Sequence, residues 1–300
     1  MPFEQIVCLD ATGLTDEGYA ALQRLSSRPL ITYADSPASE GELLRRIQGA
    51  DCALVSWRTA VPAEVIRRAE GLRYIGMCCS LYSPEAANVD IAAARGCGVD
   101  VRGVRDYGDE GVAEFILAQL ICLYKGIGPR QWGERPTELA GRTMGVVGFG
   151  ATGRLVARAA QGFGMRILYH SRTPKPELEG GGARYAALDE LLAAADVVTT
   201  HLPKHTRLLG AGELALLRPG AVLVNTSLGP TFDPDAFCAW AAQGRGYAIF
   251  DEDGAVGYAD VFGAFPNVIL WDRTAGSTAE SRERLTAKVL ENIRNFLDGR

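Results

Sequence analysis

Short apolar runs alternate with longer amphipathic segments along the whole chain. The first third carries such runs at 5–9, 30–34, 52–57, 73–78 and 98–101, and segments such as 39–49 and 63–70 between them place charges on one face. The later two-thirds repeat the scheme with runs at 143–147, 165–169, 196–200, 221–225, 247–250 and 268–271. Alternating strands and helices are typical of parallel sheets covered by helices on both faces. We therefore predict an α/β chain with two doubly wound parallel sheets.

Two long helices stand out from this alternation. The segment 109–125, DEGVAEFILAQLICLYK, opens with acidic residues and closes with Lys125, as the helix dipole favours. A helix this apolar must be buried, either between domains or against a second subunit. The segment 279–297 is amphipathic, with Leu285, Val289, Ile293 and Leu297 at spacings of four.

Composition narrows the class of protein. A length of 300 residues favours two domains, and a hydrophobic share of 47% excludes global disorder. The formal charge of −5 gives no general attraction for nucleic acids or anionic membranes. The seven cysteines form no C-x-x-C pair and predict neither a disulfide framework nor a metal site. The N-terminal segment lacks signal-peptide features and no stretch reaches membrane-spanning length, so we expect a cytoplasmic protein.

A glycine-rich loop carries the strongest chemical signal. In TMGVVGFGATGRLVARAA, Gly148, Gly150 and Gly153 have G-x-G-x-x-G spacing between an apolar strand ending at Val147 and a helix beginning near Ala151. In this context the first Gly forms the turn, the second admits a pyrophosphate and the third packs helix on strand. The loop predicts a dinucleotide site with the anion at the helix N-terminus.

The end of the next strand bears on which dinucleotide binds. NAD sites usually place an acidic residue about 20 residues after the glycines, but the segment 170–175, HSRTPK, contains none. Ser171 and Thr173 offer hydroxyls, and Arg172 offers a guanidinium suited to a phosphate dianion. We predict NADP(H) as the cofactor. The alternative, an exposed basic turn that tolerates NAD(H), stays open.

The order of motifs resembles the D-isomer-specific 2-hydroxyacid dehydrogenase family over nearly the whole chain. The resemblance rests on ELAGRTMGVVGFGATGRLVA, DVVTTHLPKHT, LLRPGAVLVNTSLG and PNVILWDRTAGST. It implies a flavodoxin-like substrate domain at 1–103 and 276–300. It also implies an NADP-binding Rossmann domain at 104–275 that includes the interdomain helix 109–125. The two domains are expected to close over a cleft, and the chain is expected to form a homodimer.

Cofactor positions of the family persist at matching places in this chain. In the family, the acid at the Asp251 position holds the nicotinamide carboxamide. Together with the loops above, the resemblance implies a cofactor-binding set made of Gly148, Gly150, Ala151, Thr152, Gly153, Ser171, Arg172, Thr173, His201, Leu202, Pro203, Thr206, Thr226, Ser227, Asp251, Ala275 and Gly276.

The family's three catalytic side chains are all changed. Leu228 stands where the resemblance places the carboxylate-binding Arg, and Arg273 stands where it places the acid–base His. The orienting Glu should lie about five residues beyond Asp251, where DEDGAVG offers only apolar residues or Gly. Reduction of a plain 2-oxo acid in the family manner is therefore not expected.

Residues at other strand ends are candidates to replace them. An Arg cannot deliver a proton near neutral pH but can hold an anion, and a phenol near a cation can donate a proton. The catalytic candidates are Arg273, Tyr107, Tyr82, Arg58 and Asp109. Structural alternatives stay open: Tyr107 packing at the hinge, Arg58 as a solvated charge and Asp109 as a helix cap. If Arg273 is buried beside Leu228, it needs an anionic or carbonyl partner.

Three functions are consistent with these observations. The first is an NADPH-dependent reductase of a small carbonyl or imine substrate. The second is a 2-oxo acid reductase or 2-hydroxyacid dehydrogenase with rearranged catalytic residues. The third is a non-catalytic NADP-binding protein.

Overall fold

The computed structural model describes residues 2–300 and divides into two compact units. The first, here called the terminal unit, comprises the chain up to Tyr107 together with Thr278–Arg300. The second, the central unit, is Gly108–Ser277. The junctions thus lie at 107/108 and 277/278, beside boundaries expected at 103/104 and 275/276.

The terminal unit is built on a five-stranded parallel sheet in the order β2-β1-β3-β4-β5. Its strands are β1 (Ile6–Cys8), β2 (Ile31–Thr32), β3 (Cys52–Val55), β4 (Tyr74–Ser80) and β5 (Asp100–Val104). Its helices are α1 (Asp16–Gln23), α2 (Glu40–Ile47), α3 (Ala63–Arg68), α4 (Ile91–Gly96) and α11 (Ala279–Leu297). The α11 stripe behaves as its spacing predicts, because Leu285, Val289 and Ile293 are buried in one cluster with Phe3 and Tyr74.

The central unit holds a seven-stranded parallel sheet in the order β12-β11-β10-β9-β6-β7-β8. Its strands are β6 (Thr143–Val147), β7 (Arg166–His170), β8 (Ala183–Tyr185), β9 (Val197–Thr200), β10 (Val222–Asn225), β11 (Tyr247–Phe250) and β12 (Val268–Leu270). Its helices are α5 (Asp109–Lys125), α6 (Ala151–Gly162), α7 (Leu188–Ala194), α8 (Ala211–Ala215), α9 (Pro234–Ala242) and α10 (Ala259–Phe262). The strand order reverses between β6 and β9, and sheets of this kind bind ligands at such a switch point.

The predicted fold class, two doubly wound parallel sheets, is confirmed. The apolar helix α5 has the predicted bounds, and part of its apolar surface is buried within the central unit itself. Ile116, Leu120 and Leu123 are buried in one cluster with Val146 of β6 and Val156 of α6, all within the central unit. The helix therefore needs no second domain or subunit to bury these side chains.

The strand β8 was not predicted. It comprises only Ala183, Arg184 and Tyr185 and pairs with β7 alone, at the edge of the sheet. Three residues with one charged side chain form no apolar run, so only the pairing partner identifies them as a strand. Among residues 2–300, no helix is long and apolar enough to cross a membrane.

Candidate functional site

The three glycines of the loop after β6 have three different environments. At Gly148, which has φ +96°, an added Cβ would lie 2.1 Å from the His201 carbonyl oxygen. At Gly153 an added Cβ would lie 2.2 Å from the Gly148 carbonyl oxygen. At Gly150 it would meet nothing within 4 Å. Gly148 and Gly153 are therefore required by the fold itself, whereas Gly150 leaves open space beside the backbone, as a pyrophosphate requires.

The N-terminus of α6 follows directly from this loop. Gly150 is its N-cap and supplies no side-chain cap, so main-chain N–H groups of the first turn remain available to an anion. Ala151 and Thr152 open the helix, and the Thr152 hydroxyl donates a hydrogen bond to the Asp109 carboxylate. Because the hydroxyl proton of Thr152 is used in this hydrogen bond, the group of Thr152 that is available to a phosphate is its main-chain N–H.

Asp109 is not a helix cap, so that alternative was wrong. The N-cap of α5 is Gly108, and Asp109 is the first helical residue, with a buried side chain that accepts from Thr152. It joins the start of α5 to the glycine-loop helix. This contact favours a role in positioning α6.

The loop after β7, here called the ribose loop (171–182), presents a cation to solvent. The Ser171 hydroxyl donates to the Thr173 carbonyl oxygen at 2.6 Å, which folds the start of the loop into a turn. Arg172 and Thr173 are exposed. Within residues 2–300, no hydrogen bond or ion pair engages the Arg172 guanidinium. The guanidinium is thus available to an anion.

Lys175 lies in the same loop and was not among the predicted site residues. Its ammonium donates to the Phe149 carbonyl oxygen at 3.0 Å, inside the glycine loop. The only signal in the sequence was a second basic residue in HSRTPK, which carries no information about its target.

Asn225, at the end of β10, organises the carboxyl edge of the sheet. It is fully buried, and its Oδ1 accepts from Thr200 Oγ1 at 2.9 Å and from the Ser227 N–H at 3.1 Å. Its Nδ2 donates to the carbonyl oxygens of Gly229 at 3.1 Å and Gly254 at 3.0 Å. One amide therefore ties together the segments that follow β9, β10 and β11.

The segment after β9 is held by Ser227. The Ser227 hydroxyl donates to the Thr200 carbonyl oxygen at 3.1 Å and accepts from the Leu202 N–H at 3.0 Å. Pro203 is exposed, and its carbonyl oxygen accepts from the Thr206 N–H at 3.1 Å. Ser227 and Leu202 thus contribute to the site by fixing its backbone.

Thr226 has a buried hydroxyl that lacks a hydrogen-bond partner within residues 2–300. Leaving such a group unsatisfied costs about 1–3 kcal/mol. The unpartnered Thr226 hydroxyl at the carboxyl edge could bond a polar group of a bound cofactor. The open space at Gly150 could accommodate the cofactor's pyrophosphate. The residues present are therefore compatible with a dinucleotide.

His201 is a neutral imidazole. Burial lowers its pKa from 6.5 to about 4, and its Nε2 lies 3.1 Å from Thr199 Oγ1. A group that is unprotonated at neutral pH does not serve as a general acid there. Its carbonyl oxygen, which excludes any side chain at residue 148, is its main contribution to the loop.

Asp251 is buried at the end of β11. Its Oδ2 accepts from the Ala275 N–H and its Oδ1 from the Gly254 N–H, both at 2.8 Å. Burial raises the pKa of the carboxyl to about 6, although both hydrogen bonds act to lower it. Beside Ala275, Gly276 packs so closely on Gly108 that a Cβ on Gly108 would lie 2.8 Å from the Gly276 carbonyl oxygen.

The three positions at which the resemblance places catalytic side chains lie in more open surroundings. Leu228 is half-buried, and Val256, five residues beyond Asp251, is 40% exposed. Arg273 is exposed, so its guanidinium is solvated and needs no anionic partner to offset burial. Its carbonyl oxygen accepts from the Glu252 N–H at 3.2 Å, which holds its main chain in place while the side chain stays in solvent.

The other catalytic candidates belong to the terminal unit. Tyr107 is half-buried, and its carbonyl oxygen accepts from Arg284 Nε at 2.8 Å. Tyr82 is 49% exposed, with the Arg105 guanidinium 5.5 Å from its ring centroid. Arg58 is exposed, with its guanidinium 4.8 Å from the ring centroid of the neighbouring Trp57.

The turn that carries Arg58 is fixed by hydrogen bonds to Asp10 and Asn88, which the sequence did not single out. The buried Asp10 accepts from the Ser56 N–H and from the Ser56 hydroxyl, both at 2.8 Å. Asn88 Nδ2 donates to the carbonyl oxygens of Ser56 at 2.7 Å and Thr59 at 2.5 Å. An exposed Arg on a turn fixed this firmly is well prepared to meet an anion.

Comparisons with known proteins identify the family. The model of the D-isomer specific 2-hydroxyacid dehydrogenase NAD-binding domain matches residues 122–252. Glyoxylate reductase of Thermococcus litoralis is 30% identical over 86% of this chain and 84% of its own length. The chain belongs to the D-isomer specific 2-hydroxyacid dehydrogenase family. It is an NAD(P)-dependent oxidoreductase of that family.

Solved structures agree with this assignment. A putative D-isomer specific 2-hydroxyacid dehydrogenase from Polaromonas sp. JS6 66 has a TM-score of 0.85 and 26% identity, covering 99% of this chain and 98% of its own. An acyclic imino acid reductase in complex with NADPH and D-Arg has a TM-score of 0.83 and 24% identity, covering 98% and 97%. The second likeness establishes the fold alone.

Proposed function

We propose that this dehydrogenase-family member is an NADPH-dependent reductase of a small carbonyl or imine substrate other than a plain 2-oxo acid. One observation carries the proposal. The carboxyl edge of the central unit is densely hydrogen-bonded around Asn225 and Asp251, while Leu228, Val256 and Arg273 stand where the resemblance places the family's catalytic side chains. Hydride transfer is retained in this proposal, and the family's acid–base chemistry is replaced.

The preference for NADPH is supported by the ribose loop. The exposed Arg172 carries a guanidinium with no partner among residues 2–300, and HSRTPK contains no carboxylate to hold a ribose 2′-hydroxyl. A guanidinium forms strong, charge-assisted hydrogen bonds to a phosphate. When bound, the cofactor supplies the hydride.

The proton requirement favours an imine. Neither Arg273 nor His201 is an effective acid near pH 7, because a guanidinium does not act as a proton donor there and burial, which lowers the pKa of His201, keeps that imidazole neutral. A protonated iminium needs no further acid, since a hydride added to its carbon gives the amine directly while the nitrogen keeps its proton. The exposed Glu252, to which the Thr274 hydroxyl donates at 3.4 Å, lies next to Asp251 and offers a negative charge that stabilises such a cation.

Titration with both cofactors tests the cofactor assignment. NADPH is expected to bind at least about tenfold more tightly than NADH, a difference of about 1.4 kcal/mol. Arg172→Ala is expected to remove most of that difference and to leave NADH affinity unchanged. Equal affinities in the wild-type protein would refute NADPH specificity.

Turnover with a panel of imines, aldehydes and 2-oxo acids tests the substrate class. Imines or simple carbonyls are expected to consume NADPH at higher kcat/KM than glyoxylate or other 2-oxo acids. The curated relatives named for glyoxylate reduction make 2-oxo acids the relevant competitors. A clear preference for a 2-oxo acid would favour a rearranged 2-oxo acid reductase instead.

Arg273→Ala tests the rebuilt catalytic position. If Arg273 holds an acceptor on the substrate, kcat/KM falls at least about tenfold while NADPH affinity changes little. Unchanged turnover would exclude Arg273 and direct the search for the proton donor to Tyr107 and Tyr82.

We also propose that the enzyme is a homodimer. Apolar side chains remain on the surface of the central unit near α5: Trp271 is 42% exposed against Phe115, and Ile127 is 61% exposed. Light scattering at micromolar concentration is expected to give twice the mass of one chain. The mass of a single chain would refute the dimer.

A further inference from the structure

A cavity of about 160 Å³ lies between α8 and α9 of the central unit. Leucines on the α8 side and alanines with one tryptophan on the α9 side make its walls apolar: Leu214, Leu217, Ala236, Ala239 and Trp240. Arg245 also lines the cavity and lies just before β11, at the amino end of that strand. Asn225 and Asp251 stand at the carboxyl edge of the same sheet. The Arg245 end of the cavity is therefore opposite the edge that carries the candidate dinucleotide site.

The aromatic part of the wall is held firmly. Trp240 is only 7% exposed, and a Cβ at Gly246 would lie 2.9 Å from Cζ2 of its indole. Asn267 Nδ2 donates to the carbonyl oxygens of Ala241 at 3.1 Å and Gly246 at 2.8 Å. These bonds join the end of α9 to the turn that carries Arg245. A wall fixed in advance reduces the cost of ordering side chains when a ligand binds.

The two lining side chains whose polar groups lack a partner are both donors. Among residues 2–300 the Trp240 indole N–H makes no hydrogen bond, and the Arg245 guanidinium makes neither a hydrogen bond nor an ion pair. Gln243, which also lines the cavity, donates to the Ala239 carbonyl oxygen at 3.3 Å within α9. An indole and a guanidinium only donate. A ligand that pairs with both must offer an acceptor, and the positive charge favours a carboxylate.

The apolar walls favour a single aromatic ring as the other part of the ligand. An apolar protein cavity of about 150 Å³ binds benzene. An indole in the wall adds to this, because aromatic rings pack favourably in offset or edge-to-face arrangements.

We propose that the cavity between α8 and α9 binds a small arylcarboxylate, with its ring between the two helices and its carboxylate on Arg245 and the Trp240 N–H. This site is a second ligand site of the central unit. It does not rest on the proposed reductase function, because no residue of the dinucleotide set lines it.

Calorimetric titration with phenylacetate tests the site. Benzyl alcohol keeps the ring without the charge, and acetate keeps the charge without the ring. Phenylacetate is expected to bind at least about tenfold more tightly than either, because each control lacks one half of the match. Equal affinity for benzyl alcohol would refute a carboxylate on Arg245, and equal affinity for acetate would refute a ring in the cavity.

Two substitutions at exposed positions separate this site from any other. Arg245→Met removes the cation, and Ala239→Met fills the cavity from the surface of α9. Each is expected to weaken phenylacetate at least about tenfold and to leave NADPH affinity unchanged. Arg158→Met on α6 removes an exposed Arg elsewhere, and Ala242→Met places the same side chain on α9 outside the cavity. Both controls are expected to change the Kd for phenylacetate by less than about twofold.

Other outcomes overturn the assignment in distinguishable ways. Phenylacetate binding that neither Arg245→Met nor Ala239→Met weakens would place the ligand elsewhere, and no binding to the wild-type protein would reject the site outright. Neither result bears on the NADPH preference, which is measured separately. If Arg245→Met and Ala239→Met lower the mass measured by light scattering while Ala242→Met does not, a second copy of the chain covers the cavity and the ligand site is refuted.

Discussion

The carboxyl edge of the seven-stranded sheet has two parts that differ in how tightly they are built. Around Gly148, Asn225 and Asp251, side chains and carbonyls leave no room for change: a Cβ would collide, or a buried hydrogen bond would be lost. Around Val256 and Arg273, side chains are exposed. In the proposed function, the first part holds the dinucleotide and the second part determines which reaction occurs.

This difference explains how a member of the family keeps its cofactor motifs while its catalytic positions change. Replacing a residue such as Asn225 would break four hydrogen bonds that join three strand ends, so the fold itself resists the change. Replacing an exposed side chain costs little stability. Folding therefore constrains the residues around Asn225, whereas it places little constraint on the exposed positions Val256 and Arg273.

The largest expected effect contrasts two glycines of one loop. Gly148→Ala forces a side chain into the left-handed region and against the His201 carbonyl, so we expect a loss of about 2–4 kcal/mol of unfolding free energy. Chemical denaturation followed by circular dichroism measures this loss.

Gly150→Ala is the matched substitution. It meets nothing within 4 Å, so stability is expected to change by less than about 1 kcal/mol while NADPH affinity falls at least about tenfold. If Gly150→Ala binds NADPH normally, the open space beside residue 150 does not receive the pyrophosphate. The proposed difference in role between Gly148 and Gly150 would then be refuted.

The stability of the folded chain is expected to depend on pH through the buried His201. The His201 pKa in the folded state, about 4, lies below its ordinary 6.5. Between these pH values the unfolded chain is protonated at His201, whereas the folded chain is not. Stability is therefore lost as pH falls from about 6.5 to 4, by on the order of 3 kcal/mol. His201→Gln is expected to lose less stability than the wild type over this window, as measured by denaturation at several pH values.

Asp251 provides a control of opposite sign. Its folded-state pKa of about 6 lies above the ordinary 3.8, so its contribution to stability decreases as pH rises from about 4 to 6. Asp251→Asn removes this trend, and His201→Gln does not. Identical pH profiles for the wild type and His201→Gln would mean that the imidazole is not held neutral by burial.

A smaller effect is expected at the contact between α5 and α6. Thr152→Val and Asp109→Asn each remove part of one hydrogen bond, and a double-mutant cycle on unfolding free energy is expected to give a coupling of about 1 kcal/mol. If Asp109 positions α6, both substitutions also raise the Kd for NADPH and leave kcat unchanged. A large fall in kcat for Asp109→Asn alone would instead support Asp109 as a catalytic residue.

The smallest expected effect on stability is at Arg273. Because its side chain is exposed, Arg273→Ala is expected to change unfolding free energy by less than about 0.5 kcal/mol. The same variant is expected to lose activity, so its turnover should fall while its unfolding free energy stays nearly unchanged. Destabilisation by more than 1 kcal/mol would show that this position belongs to the constrained part of the edge.

Periodicity and local motifs were enough to predict the fold class, helix α5 with its bounds, and the glycine loop with the helix that follows. These features depend on residues close together in the chain, whose side-chain pattern and turn chemistry select strand, turn or helix locally. The short edge strand β8 lay beyond this reach, since three residues without an apolar run are a strand only because β7 pairs with them.

Local pattern by itself therefore determined the two doubly wound sheets and the place of the dinucleotide loop. Tertiary structure decided which side chains meet: Lys175 with the carbonyl of Phe149, 26 residues away, and Asp10 with Ser56, 46 residues away. It also decided that Asp109 contacts Thr152 and that Arg273 stays in solvent. The reason is physical: the energy of such a contact depends on two segments that only the folded sheet brings together. The local sequence of either segment does not indicate which residue it will contact.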